Sequence, residues 1–270
     1  MAREDSLAAI STAEIDAARV FLSASRSIVG IARRKKNSEP RPCATGFLWD
    51  SEGTVLANYR TLVNASEFSV FLNDSSTPRA NGIEYYPIAA DESCDLAVLR
   101  PVNPESLFSH SSFAKARPLP KARSSEIREG QPVFCIGNHL ERQKTFRSGI
   151  LQSVGRGRST LRSLRHNRDM LETSIVDESG SVGGILLNLK GELLGIIPSN
   201  RPGFHGPASA VSVHVVKGFL KLALGKRRKA GQTQRNGAHK HQVTTPSPAQ
   251  VIPVRMSACT ANSIIPLSKL

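Results

Sequence analysis

The sequence predicts an all-β protein: two six-stranded antiparallel β-barrels, with a short helix at each end and an irregular tail. Three observations point there. Apolar runs of strand length recur along the chain, separated by Gly, Asn, Asp, Ser or Pro turns. The runs fall into two sets of about six, divided by the polar segment ARPLPKARSSEIREG (116–130). Between the runs there is no helical periodicity of the kind that parallel βαβ units require.

The elements follow in order. Residues 12–24, TAEIDAARVFLSA, place apolar residues at helical spacing behind a Ser/Thr cap, so the N-terminal segment 1–25 is expected to carry an amphipathic helix. SIVGIARR, ATGFLWD, TVLANY, FSVFL, YYPIAAD and LAVLRP supply the first barrel, about 26–118. QPVFCIGN, SGILQSVG, MLETSIV, GGILLN, LLGIIPS and SAVSVHVV supply the second, about 124–222. VVKGFLKLAL (215–224) then reads as a closing amphipathic helix. From 225 to 270 the text lacks aromatics and periodicity and is expected to be a basic, disordered tail.

A chain of 270 residues buries a good core and sits near the size at which one unit divides into two lobes. Its 39% hydrophobic content and mean hydropathy of −0.22 suit a globular protein with some polar, irregular sequence. No stretch approaches the ~20 apolar residues of a spanning helix. MAREDSLAAISTAEID has two acids in its first five residues and no apolar core, which fits neither a secretory signal nor a mitochondrial presequence and implies a cytosolic start. Cys43, Cys94, Cys135 and Cys259 show no C-x-x-C pair and no matching His spacing; buried thiols are expected, with no metal and no cofactor.

The net charge of +14 is unevenly placed. Residues 225–270 hold eight Lys or Arg and no acid, more than half of the excess. GRGRSTLRSLRHNRD (155–169) adds five arginines. Such segments meet phosphates or carboxylates. Without interleaved aromatics the arginine cluster reads as a solvated loop in preference to a nucleic-acid site. KRRK (226–229) resembles a minimal nuclear-localisation signal, and a solvated linker is preferred there too.

Several motifs then meet a known pattern. ATGFLWDSEGTVLANYRTLVNASEFSVFL is similar to a G-S-G-F strand leading through a D-x-x-G hairpin to T-N-x-H-V. DESCDLAVLR is similar to D-x-x-x-D-L-A-V-L-K, REGQPVFCIGN to V-G-x-x-V-x-A-I-G-N-P, and SGILQSVGR to T-x-G-I-V-S-x-x-x-R. SGSVGGILLNLKGELLGI is similar to G-N-S-G-G-P-L-x-N-x-x-G-x-x-I-G-I. From about residue 26 to 222 the chain thus resembles the HtrA/Deg (DegP-like, Do-like) serine proteases, which implies the trypsin-like double barrel of the PA clan.

The family's chemistry uses a serine that attacks the peptide carbonyl, a histidine that takes its proton, and an aspartate that orients the histidine. Backbone N–H groups among glycines bind the oxyanion. The resemblance places the aspartate at Asp95. The histidine position holds Arg60, whose guanidinium stays protonated and cannot act as a base near neutral pH. Arg60 beside Asp95 suggests an ion pair filling the site. With Gly183-Gly184 held in register, the serine position is Val182, and Gly180 and Gly183 are remnants of the oxyanion hole. A one-residue shift would bring Ser181 into the elbow, and Ser179 would mimic the D-S-G of other trypsin-like enzymes. None of His110, His139, His166, His205 or His214 lies in the segment of the family's base, and His239 and His241 are in the tail.

Other departures follow. The residues after the closing helix are too few and too polar for the family's PDZ module. The family assembles as trimers through N-terminal segments, so homo- or hetero-oligomers with Deg relatives are an expectation of the resemblance. The chain ends Ser268-Lys269-Leu270, which matches the type 1 peroxisomal import signal and implies an import receptor as partner. The cytoplasm or nucleus is the alternative location. Three functions compete: a proteolytically inactive homologue binding peptide or unfolded-protein segments in the old cleft; a serine endopeptidase with an altered triad; and a basic nucleic-acid-binding protein. Arg60 and Val182 favour the first.

Overall fold

A computed structural model describes residues 12–34, 41–63, 65, 67–72, 82–109, 113, 116–138, 144–155, 170–177, 183–199 and 206–235. Helix α1 (Thr12–Ala24) and a short 3₁₀ turn (Ser25–Ser27) lead into the first barrel. Its strands are β1 (Ile28–Arg34), β2 (Arg41–Leu48), β3 (Val55–Ala57), β4 (Glu67–Leu72), β5 (Ile83–Asp91) and β6 (Leu96–Pro101). After the short helix α2 (Glu105–Ser109), the second barrel comprises β7 (Pro132–Asn138), β8 (Lys144–Val154), β9 (Met170–Asp177), β10 (Ile185–Leu187), β11 (Leu193–Ile196) and β12 (Gly206–Ser212). Helix α3 (Val213–Arg235) closes the described chain.

Both barrels are closed and antiparallel. The first has spatial order β1-β2-β3-β6-β5-β4 and the second β7-β8-β9-β12-β11-β10, which is the same topology repeated. Closure leaves neither sheet an unpaired edge. The all-β double barrel expected from the sequence is the observed fold.

Three apolar clusters organise the packing. Val29, Ile31, Val55, Val70, Ala97 and Leu99 fill the first barrel; Val133, Leu151, Leu171, Ile175 and Leu186 fill the second. The third cluster lies between the barrels, where Phe47, Leu56, Leu96 and Val98 of the first meet Phe134, Ile136, Ile185 and Leu187 of the second. Strand side chains alternate between faces, so β6 serves both: Ala97 and Leu99 point into its own barrel, Leu96 and Val98 toward the other. This explains why LAVL is a continuous apolar run.

The helices lock the junction. Val20 and Ala24 of α1 join the inter-barrel cluster. Phe21 meets Phe146 edge-on at 5.4 Å, and Phe146 stacks on Phe134 at 5.3 Å. The linker runs beside β11, with Ala122 donating to the Leu193 carbonyl at 3.1 Å and Leu193 to that of Pro120 at 2.8 Å. Lys121 sits 4.5 Å over the Trp49 ring and donates to the Trp49 carbonyl at 2.5 Å, tying linker to first barrel.

Two expected boundaries move. SAVSVHVV was expected as strand and VVKGFLKLAL as helix, two readings that overlap at Val215 and Val216; β12 ends at Ser212 and the helix starts at Val213, so the overlap and the two residues before it are helical. Val213, Val216, Phe219, Leu220 and Ala223 are all buried, and that 3–4 spacing wins over a short alternating pattern. The chain was also expected to be irregular from 225, yet α3 continues to Arg235, through Lys, Arg, Ala and Gln, all good helix formers. The rest of the expected tail, 236–270, lies outside the described residues. Cys94 and Cys135 are buried thiols, as expected. Among the described residues no helix is long and apolar enough to cross a membrane.

Candidate functional site

The site forms where four sequence-distant segments meet between the barrels. The first is the turn between β5 and β6. Asp91 Oδ1 accepts hydrogen bonds from the Ser93 amide (2.8 Å), the Ser93 hydroxyl (2.6 Å) and the Cys94 amide (3.3 Å), which fixes the turn. Asp95 follows in the left-handed region at φ +51, a conformation Asp tolerates better than most residues. Its carboxylate is thereby directed at the junction and is 2% exposed.

The second segment follows β3. Asn58 is extended, and a 3₁₀ turn over Tyr59–Thr61 begins immediately after it. Asn58 Nδ2 donates to Asp95 Oδ2 at 3.0 Å and to the Asp95 carbonyl at 3.3 Å. The Arg60 amide donates to Asp95 Oδ1 at 3.1 Å. The third segment follows β11: the Ser199 amide donates to Asp95 Oδ2 at 2.6 Å, and the Ile197 carbonyl accepts from Asn58 Nδ2 at 3.3 Å. One buried carboxylate and one buried amide therefore hold the two barrels together at this point.

The fourth segment is the end of the glycine-rich motif. The Gly183 amide donates to the Ile197 carbonyl at 3.2 Å, and Ile197 donates to the Gly184 carbonyl at 2.8 Å. Gly183 has φ +78, and a Cβ there would lie 2.8 Å from both Asn58 Oδ1 and the Thr45 carbonyl. The residue that follows position 182 thus packs directly on the amide that binds Asp95. Ser179, Gly180, Ser181 and Val182 lie outside the described residues, as do Ser268, Lys269 and Leu270.

The expected Arg60–Asp95 ion pair is corrected. The ion pairs among the described residues are Arg19–Asp16, Arg34–Glu67 and Arg100–Glu52; Arg60 hydrogen-bonds Asp95 through its amide alone, and the residue is exposed. The physical reason is desolvation. Both Asp95 oxygens already accept hydrogen bonds, Oδ2 from the buried Asn58 and Ser199 donors and Oδ1 from the Arg60 amide, and bringing in a guanidinium would strip its hydration without an equivalent return. Burial, above all, pushes the Asp95 carboxyl above the usual aspartate range; hydrogen bonds from Ser199 and the Arg60 amide, then the Arg60 charge, oppose it.

His214 is the one histidine among the described residues, and it sits in the first turn of α3. Its Nδ1 is 2.8 Å from the Ser212 hydroxyl, and no hydrogen bond joins it to Asp95. Asp95 and Arg60 are brought together as expected of a shared site. Sequence reasoning gave no role to Asn58 or Ser199. Asn58 stands at the asparagine of the T-N-x-H-V pattern, which was a usable signal; Ser199, 104 residues from Asp95, carried none. No three His, Cys, Asp or Glu among the described residues are grouped to hold a metal.

A family model for the trypsin-like peptidase domain matches residues 44–196, more than half of the chain. The chain is 29% identical over 223 residues to the chloroplastic Protease Do-like 1 of Arabidopsis thaliana, covering 78% of this chain and 48% of that protein. It is 29% identical over 161 residues to Serine protease HTRA1 of Xenopus laevis, covering 60% and 32%. The chain thus spans about half or less of the length of these relatives. Among solved structures, the HtrA-type protease AlgW with tripeptide aligns at TM-score 0.58 and 21% identity, covering 74% of this chain and 60% of that one. The serine endoprotease from Yersinia pestis aligns at 0.59 and 20%, covering 77% and 66%. A repeated six-stranded barrel, a buried aspartate at the junction and a glycine pair packed against it therefore belong together: the chain belongs to the family of the trypsin-like peptidase domain, and the relatives named above are HtrA- and Do-like proteases.

Proposed function

We propose that this chain is a proteolytically inactive HtrA homologue that acts as a binding or regulatory module, taking peptide or unfolded-protein segments in the cleft between its barrels. Arg60 carries the proposal. Its amide holds Asp95 Oδ1 at 3.1 Å, so the backbone stands where a base would be oriented, while the side chain is a permanently charged guanidinium. A serine from 178–182, in whichever register, then has no imidazole on Asp95 to take its proton, and loss of a triad member leaves only residual catalysis. The solved AlgW structure, described as holding a tripeptide, supports a cleft of this fold that accepts peptide.

The test is incubation of the purified chain with unfolded casein and a fluorophosphonate probe, beside Arg60→His combined with Val182→Ser. The unmodified chain is expected to bind casein without cutting it and to remain unlabelled. Labelling that disappears on Ser181→Ala or Ser179→Ala would overturn the proposal in favour of an altered triad.

Delivery and assembly complete the proposal. The terminal Ser268-Lys269-Leu270 directs the chain to peroxisomes through an import receptor, and the body assembles with itself or with Deg relatives. A fluorescent fusion with a free C-terminus is expected to be punctate. Diffuse signal unchanged by deleting the tripeptide would place the chain in the cytoplasm or nucleus instead.

A further inference from the structure

The turn that follows β3 presents an uncommitted cation at the junction of the barrels. Arg60 donates its amide to Asp95 Oδ1 at 3.1 Å, which anchors its backbone there, while the residue itself is exposed. No ion pair among the described residues uses its guanidinium. Asp95 does not neutralise it by contact: the carboxylate is 2% exposed and both its oxygens already accept hydrogen bonds. The charge still reaches the junction, because it opposes the upward pull of burial on the Asp95 carboxyl. Arg33 Nη1 donates to the Val63 carbonyl at 3.0 Å, so a second guanidinium stands beside the end of the same turn.

What a guanidinium does at this position follows from what the position faces. In a Ser-His-Asp site the group oriented by the aspartate hands a proton to the leaving amine, so it stands on the side of the peptide carbonyl from which the chain continues. A guanidinium has five N–H donors and no acceptor. Toward a continuing peptide it sets donors against an amide N–H, which is itself a donor. Toward a chain that ends there it presents a planar fork to two carboxylate oxygens, a match in both shape and charge. We infer that Arg60 makes the cleft a reader of peptide C-termini: it pairs with the terminal carboxylate of a peptide lying between the barrels and discriminates against the same sequence when the chain continues.

This rests on the proposal that the cleft takes peptide, and it adds which peptide: the fragment of a cut chain whose new end is a carboxylate. An aspartate or glutamate side chain offers the same chemistry, but it stands off the main chain and does not end it.

Fluorescence anisotropy of the full chain tests the inference with a short peptide of alternating Val and Ser, carrying an uncharged fluorophore at its N-terminus. The forms compared are the free C-terminal carboxylate, the C-terminal amide, and the C-terminal amide with an internal Glu. At low salt the free carboxylate is expected to bind about tenfold more tightly than the amide, the low end for a charge-assisted pair because Arg60 is exposed. The internal Glu is expected to recover little of that difference, and added salt to shrink it. Arg60→Gln is expected to bring the free-carboxylate form to the affinity of the amide. Any residue at this position supplies the amide that holds Asp95, so the melting temperature of that variant is expected to stay unchanged. Arg60→Lys keeps the charge without the fork and is expected to retain part of the preference. Lys221→Gln removes the same charge from the exposed side of α3 and is expected to leave the ratio unchanged, which separates local pairing from the field of a basic protein.

Equal binding of carboxylate and amide forms, with unfolded casein still bound, would overturn this inference and leave the peptide-binding cleft standing. A preference that survives Arg60→Gln would overturn it too, as would tighter binding of the internal-Glu form than of the free carboxylate. Binding of neither casein nor any peptide would overturn both readings together.

Discussion

Gly183→Ala is the sharpest probe of how the barrels are joined. Two costs add. The residue has φ +78, where a side chain costs about 1–2 kcal/mol over glycine. Its new Cβ would also lie 2.8 Å from Asn58 Oδ1 and from the Thr45 carbonyl, well inside van der Waals contact. Thr45 belongs to strand β2 and cannot retreat, so Asn58 must move and weaken its bonds to Asp95 and Ile197, worth about 1 kcal/mol each. The sum is about 2–4 kcal/mol, or a fall in melting temperature of roughly 5–15 °C for a domain of this size. Gly130→Ala supplies the control, because Gly130 has φ +82 but nothing within 4 Å of its Cβ position. Thermal unfolding followed by circular dichroism should show Gly183→Ala costing at least twice as much as Gly130→Ala. Equal losses would mean that the methyl is accommodated without moving Asn58, and the account of the junction would be wrong. Combining Gly183→Ala with Asn58→Ala is expected to cost less than the two changes separately, since they share one contact.

Further expectations concern the buried polar groups. Asp95→Asn turns an amide NH₂ toward donors and is expected to destabilise by about 1–3 kcal/mol in chemical denaturation. In the unmodified chain a carbon-13 carboxyl titration of Asp95 should have its midpoint above 3.8; the folded state then binds the proton more tightly, so Asp95's contribution to stability falls as pH rises through that window. The Tyr85 hydroxyl is buried without a hydrogen-bond partner among the described residues, and burial, then Asp50, raises its pKa. Tyr85→Phe should therefore be neutral or stabilise by up to about 1 kcal/mol. Burial, partly opposed by Asp50 and reinforced by Lys217, lowers the Lys121 pKa from 10.5. Emission from Trp49, the only tryptophan, should titrate below pH 10.5 and lose that transition in Lys121→Met. Lys121's contribution to stability rises with pH over the same window, because the unfolded chain binds the extra proton.

Much of the fold was legible because several barrel strands are buried on both faces and so read as continuous apolar runs between turn residues. The boundary between β12 and the closing helix was set too late, at Val213 and His214: a few residues of alternation look alike in a strand and at the start of a helix. Only the depth to which Phe219, Leu220 and Ala223 are buried settles the period. At the site, Asp95 and Arg60 were found by motif, but their relation was not. Opposite charges at neighbouring positions suggested an ion pair; the amide of Arg60, present in every residue type, makes the contact instead.

What the sequence alone determined is chemical identity: a guanidinium at position 60, a valine at 182 between serine and the glycine pair, a run of cations from 226 to 229. Those are properties of side chains and do not depend on how the chain folds. What only the tertiary structure decided is which groups satisfy the buried carboxylate. Asn58, Ser199 and Ile197 lie in segments that follow β3 and β11, 37 to 139 residues away from their partners, and two closed barrels must pack before they meet. A buried charge takes whatever donors the junction supplies, and here it takes backbone amides and an asparagine while the arginine side chain stays in water.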